Sequence, residues 1–134
     1  MTERDYSHRT LADKLGLKPG MRVRVSGDVG EQLPLDAAER VGGSIRRRSE
    51  LDVAIIGVDS EQTAERAFES LRPTLPGHGA IWIVTRKKGH PDYVKQEDLM
   101  PLAKSFDLVD NKICSVDEEH SAIRFVVPRK LRVD

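Results

Sequence analysis

The chain has 134 residues, the length of one ordinary domain, and 38% of them are hydrophobic, enough for a single core. Its 22 basic and 22 acidic side chains cancel, so no global field draws it to nucleic acid or to an anionic membrane; aromatics at 4% also argue against base-stacking platforms. The single cysteine, Cys114, excludes an internal disulfide. No apolar run reaches the length of a membrane span, and the N-terminus lacks a signal-peptide pattern; together these imply a soluble, reduced, cytoplasmic protein.

In chain order, Thr10 and Asp13 stand at capping-box spacing for a short helix that ends at Gly16. Pro19-Gly20 makes a turn, and a strand runs from Met21 to Ser26. Arg22 and Arg24 alternate along it, so one face is poorly covered or the strand lies near an edge, which makes a homodimer conceivable. After Gly27-Asp28-Val29-Gly30, a turn or two of helix is expected from Pro34 to Val41, then a short exposed strand from Ser44 to Arg48. The run Arg46-Arg47-Arg48 reads as a solvated face because Glu50 and Asp52 follow at once.

Leu51 to Val58 is a buried strand. Asp59 and Gln62 stand at capping-box spacing for the next helix, whose apolar stripe is Ala64, Ala67, Phe68 and Leu71; Pro73 stops it. A second buried strand spans Ala80 to Thr85, and a basic loop follows to Lys95. Leu99, Leu102, Ala103 and Phe106 form another stripe, with the helix starting near Asp98 so that Pro101 falls in its first turn. Leu108 to Val116 and Ser121 to Val127 make an antiparallel hairpin, and a frayed tail runs from Pro128 to Asp134. These elements add up to one small α/β domain over residues 1–134: a Rossmann-like mixed sheet flanked by helices and closed by a hairpin.

Ligands of such sheets sit beyond the carboxyl ends of the strands, and polar groups cluster at those points. Gly27, Asp28 and Gly30 can offer backbone N–H groups to an anion or cofactor, or simply turn the chain. Thr85, Lys87 and Lys88 suit a phosphate or carboxylate, or form a solvated loop. Asp117, Glu118, His120, Ser121 and Arg124 gather at the hairpin; Ser121 lacks a nucleophile elbow, and polar hairpins are common for solvation alone. Ser121 and Arg124 join the ligand-binding candidates, and no catalytic residue is assigned. Cys114 reads as core, and His78 and His90 have no second ligand at useful spacing, so no metal site is expected.

Two resemblances follow from these residues. Leu17-Lys18-Pro19-Gly20-Met21-Arg22-Val23, Leu51-Asp52-Val53-Ala54-Ile55, Leu71-Arg72-Pro73, Gly79-Ala80-Ile81-Trp82 and the terminal hairpin together resemble the class I S-adenosylmethionine-dependent methyltransferase fold. Lys14-Leu15-Gly16, the segment from Gly79 to Gly89, and Ser121-Ala122-Ile123-Arg124 are similar to motifs of a bacterial family known only as domain of unknown function 3052. That family often has proline at the position of Arg86 and tryptophan at the position of His120.

The methyltransferase resemblance implies S-adenosylmethionine as cofactor, yet the loop Ser26-Gly27-Asp28-Val29-Gly30 has only two of the expected glycines. Arginines stand where a ribose-binding carboxylate belongs, and about one βα unit is missing. The sequence therefore favours a non-catalytic, methyltransferase-like binding or regulatory module for a protein partner or small anion. A small methyltransferase with a degenerate cofactor loop is the alternative. Nucleic acid and membrane are not expected partners.

Overall fold

The computed structural model describes residues 10–42 and 51–132. The expected strand from Ser44 to Arg48, the arginine run and the last two residues lie outside them. Helix α1 spans Leu11–Lys14, strand β1 Val23–Ser26 and helix α2 Gln32–Val41. Strand β2 spans Val53–Gly57, helix α3 Glu61–Leu71, strand β3 Ala80–Arg86 and helix α4 Gln96–Lys104. Strands β4, Val109–Ser115, and β5, His120–Val126, complete the order.

The five-stranded sheet runs β1-β2-β3-β5-β4. Strands β1, β2 and β3 are parallel, and β5 joins β3 antiparallel and carries β4 at the edge. This is the expected α/β architecture, a mixed Rossmann-like sheet between helical layers. Among the described residues β1 pairs only with β2, which explains its alternating sequence: an edge strand needs apolar residues on one face only.

Period-two alternation along β3 divides the core. Ile81 and Ile83 pack on one face with Phe68 of α3 and Leu99 and Ala103 of α4. Trp82 and Val84 pack on the other with Leu15, Leu17, and Leu33 and Ala37 of α2. Phe68 meets Phe125 edge to face at 5.1 Å, a pairing worth about 0.5–1.5 kcal/mol beyond its burial. The Trp82 indole N–H donates to the Leu15 carbonyl at 3.2 Å, tying the exit of α1 to the sheet.

The capping box at Thr10 and Asp13 is present. At α3 the cap is Ser60 rather than Asp59: the Ser60 hydroxyl accepts from the Thr63 N–H at 3.1 Å, and Asp59 instead takes the Thr63 hydroxyl at 2.8 Å. Gln62 makes no capping box; the chain turns one residue later than expected. Helix α2 begins at Gln32, earlier than expected, and α4 begins at Gln96, leaving Pro101 inside the helix. Proline is tolerated there because the carbonyl it leaves without a donor belongs to exposed Glu97 in the first turn. The tail is ordered further than expected, with a short 3₁₀ turn over Arg129–Leu131 and an Arg132 bond to the Val127 carbonyl at 2.9 Å. No helix among the described residues is long and apolar enough to cross a membrane.

Candidate functional site

Two clefts open at the carboxyl end of β3, one on each face of the sheet. Successive strand residues point to opposite faces, so Thr85 follows Ile83 to the α4 side and Arg86 follows Val84 to the α2 side. Strand β5 repeats the division: Ser121 pairs with Thr85, and His120 pairs with Arg86.

The cleft on the α2 side is about 600 Å³ in volume, and its lining includes Gly27, Asp28, Gly30, Arg86, Glu119 and His120. Gly27 and Gly30 both take positive φ, as a tight strand-to-helix loop demands. A Cβ on Gly27 would stand 2.3 Å from the Gly57 carbonyl oxygen, so the loop lies directly against the end of β2. Asp28 is the hub. Its Oδ1 contacts His120 Nε2 at 2.9 Å, and its Oδ2 accepts from Arg86 Nε at 2.8 Å.

On its other side the His120 ring meets Asp117 through Nδ1 at 2.8 Å. A carboxylate oxygen thus stands at each ring nitrogen, fixing the ring from both sides. Arg86 also pairs with Glu119. Burial pushes the Asp28 carboxyl up, but the bonds from His120 and Arg86 outweigh it and hold the group below the usual carboxylate range. Asp117 is lowered in the same way: burial opposes, and His120 and the backbone N–H groups of Glu119 and His120 prevail. Arg86 is held above its ordinary value, its burial outweighed by Asp28 and Glu119. Glu31 and Glu118 also line this cleft, so carboxylates outnumber cations in its lining.

The cleft on the α4 side is smaller, about 350 Å³, and carries the opposite sign, with Lys87, Lys88, Lys95 and the edge of Arg86 against Glu97. Thr85 and Ser121 form its floor with Gln96. The Ser121 hydroxyl donates to the Cys114 carbonyl at 3.3 Å and accepts from Gln96 Nε2 at 3.2 Å. Lys87 reaches the Ser115 hydroxyl at 2.8 Å.

The structure thus joins Gly27, Asp28 and Gly30 to the hairpin acids and His120, and gathers Thr85, Lys87, Lys88 and Ser121 separately. Arg124 belongs to neither group: it lies beside Trp82 in register, half-buried, and burial with Arg132 nearby lowers its pKa. His120 is 5% exposed and opens β5 instead of lying in a solvated turn. Arg86 was legible only as a departure from a family motif, yet it faces both carboxylate partners. Its contacts were hidden because Asp28 lies 58 residues away in sequence.

Cys114 is half-buried, and burial pushes its thiol up against the opposing pull of Lys112 and Lys14, which disfavours the reactive thiolate. His78 pairs with Asp52 at 2.9 Å, and His90 accepts from the Asp92 N–H. Among the described residues no group of three or more His, Cys, Asp or Glu side chains is arranged to hold a metal ion.

No family model matches the sequence, and no curated protein does. Solved structures do match the fold. A S-adenosylmethionine-dependent methyltransferase from Aquifex aeolicus superposes with a TM-score of 0.61 at 13% identity, covering 88% of this chain and 88% of that one. A methyltransferase from Pyrococcus furiosus gives 0.58 at 12% identity, over 87% of this chain and 79% of its own. Magnesium protoporphyrin IX methyltransferase from Synechocystis, with bound SAH, gives 0.57 at 11% identity, over 87% and 78%. At such identities the likeness is one of fold: the chain has the methyltransferase-like architecture.

Proposed function

We propose that this chain is a small methyltransferase-like domain whose acidic cleft takes the cationic cofactor S-adenosylmethionine, and that it transfers the methyl group to an acceptor. The observation that carries this reading is the charge of the cleft beside the Gly27–Gly30 loop. Its lining holds Asp28, Glu31, Asp117, Glu118 and Glu119 against Arg86 and His120. That balance attracts a ligand with net positive charge, as a sulfonium and an ammonium group together provide, and repels phosphates. Glu31 and Glu118 are exposed and make no hydrogen bond among the described residues, which leaves their oxygens available to ribose hydroxyls or an ammonium group.

When bound, the cofactor supplies an electrophilic methyl group, and the protein has only to align an acceptor with it; no acid–base residue is required for that. The position of the cleft supports the reading, since ligands of open α/β sheets sit beyond the carboxyl ends of their strands. The segments that resemble the domain of unknown function 3052 family make that kinship part of the proposal.

A second reading, a non-catalytic binding module, draws on one specific observation: Asp28 is already engaged by His120 and Arg86. Titration calorimetry with S-adenosylmethionine, followed by a labelled-methyl transfer assay on cellular small molecules and proteins, separates the two. Saturable binding that weakens in Glu118→Gln, together with transfer, is the expected result. Binding without transfer favours the module, and no binding at millimolar cofactor removes the cofactor reading.

A further inference from the structure

We propose that the basic cleft on the opposite face, over Thr85, is a separate binding site for a dianionic oxyanion of the phosphate-monoester class. Three independent features converge there. Thr85 is 2% exposed, lines the cleft, and its hydroxyl has no hydrogen-bond partner among the described residues. Buried hydroxyls are nearly always paired, so this one, at the floor of a cleft, is served by an oxygen from the cleft, either water or a ligand that displaces it.

The amino end of α4 opens onto the same space. Lys95, Gln96 and Glu97 line it, and the helix has no side-chain cap. Its first N–H groups and the positive end of its dipole are therefore available to an anion. The third feature is charge. Lys88 makes no ion pair or hydrogen bond among the described residues, Lys87 is neutralised by no carboxylate, and Lys95 lies 3.7 Å from Glu97. Three ammonium groups against one carboxylate leave an excess that a doubly charged oxyanion balances.

The site is independent of the cofactor reading. The two clefts share only Arg86 in their linings, and its guanidinium is taken by Asp28 and Glu119 on the acidic side; neither Asp28 nor His120 lines the basic cleft, which has the wrong sign for a sulfonium. A cofactor that fails to bind on the α2 side therefore leaves this proposal standing, and the reverse also holds.

The test is an amide-resolved NMR titration of the full chain with inorganic phosphate, with acetate and chloride at matched ionic strength as the other arms. Phosphate should produce saturable shifts confined to Thr85–Gly89 and Lys95–Glu97, with at least about tenfold weaker binding of acetate. Thr85→Val should weaken phosphate binding about tenfold while melting no lower than the parent, because valine removes an unpaired hydroxyl without changing the shape. Lys88→Ala, on an exposed loop, should weaken it comparably. Shifts that only track ionic strength, equal binding of acetate, or unchanged phosphate affinity in both variants would each overturn the proposal.

Discussion

Three aspartates carry most of the electrostatic organisation at the scale of single residues. Asp28 and Asp117 hold His120 between them, and Asp52 accepts from the Arg22 backbone at 2.8 Å, from its guanidinium at 3.1 Å and from His78 at 2.9 Å. Burial raises Asp52, but the Arg22 and His78 bonds overwhelm it and hold the carboxyl far below its ordinary value. All three folded-state pKa values are depressed, so the stability they confer is complete above the unfolded carboxylate value near ~3.9 and is lost as pH falls through the folded values.

The thermal midpoint should therefore hold from neutrality to about pH 5 and drop steeply below about pH 4. Asp52→Asn should cost about 1–3 kcal/mol near neutrality, since it weakens charge-assisted bonds to a partly buried acceptor. It should also flatten the acid limb in a melting series against pH. An acid limb as steep as the parent's would show that Asp52 is not the group that titrates.

At the scale of elements, two contacts set how the loops and helices sit on the sheet. The Trp82 indole holds the α1 exit through the Leu15 carbonyl, both groups being buried. Trp82→Phe keeps an aromatic ring but leaves that carbonyl unpaired and the pocket underfilled; the expected cost is about 1–3 kcal/mol in denaturant unfolding followed by circular dichroism. The second contact is the approach of the Gly27–Gly30 loop to β2. A Cβ on Gly57 would stand 2.1 Å from the Asp28 carbonyl oxygen, and backbone cannot swing aside as a flexible side chain can.

Gly57→Ala should push the loop off the strand end, destabilise the fold by about 1–3 kcal/mol and loosen the Asp28–His120 contact. Amide shifts at Asp28 and His120 would register the displacement, and wild-type shifts with wild-type stability would refute it. Neither contact is written in local sequence. The tryptophan motif marks a strand, but its partner Leu15 is 67 residues away.

For the whole molecule, the alternation of side chains along one strand decides the functional layout. Thr85 and Arg86 are neighbours in sequence, yet Thr85 lines only the basic cleft, whereas Arg86 borders both and spends its guanidinium on the carboxylates of the acidic one. Under the two proposals above, a cationic cofactor and an anionic ligand would occupy opposite faces of the same strand end without competing.

Periodicity, capping and glycine placement determined the α/β class, the buried strands at Val53 and Ala80 and the terminal hairpin; for β1 they left a poorly covered face or an edge position open, and the sheet order chose the edge among the described residues. Class, strands and hairpin depend on neighbours a few residues apart, and the pattern of burial is written directly in them. Only the tertiary structure decided which polar residues act together. It paired Asp28 with Arg86 and His120, set Arg124 aside beside Trp82, and left the Thr85 hydroxyl without a partner among the described residues. Those outcomes turn on strand order and antiparallel register, which join residues far apart along the chain and which no local pattern encodes.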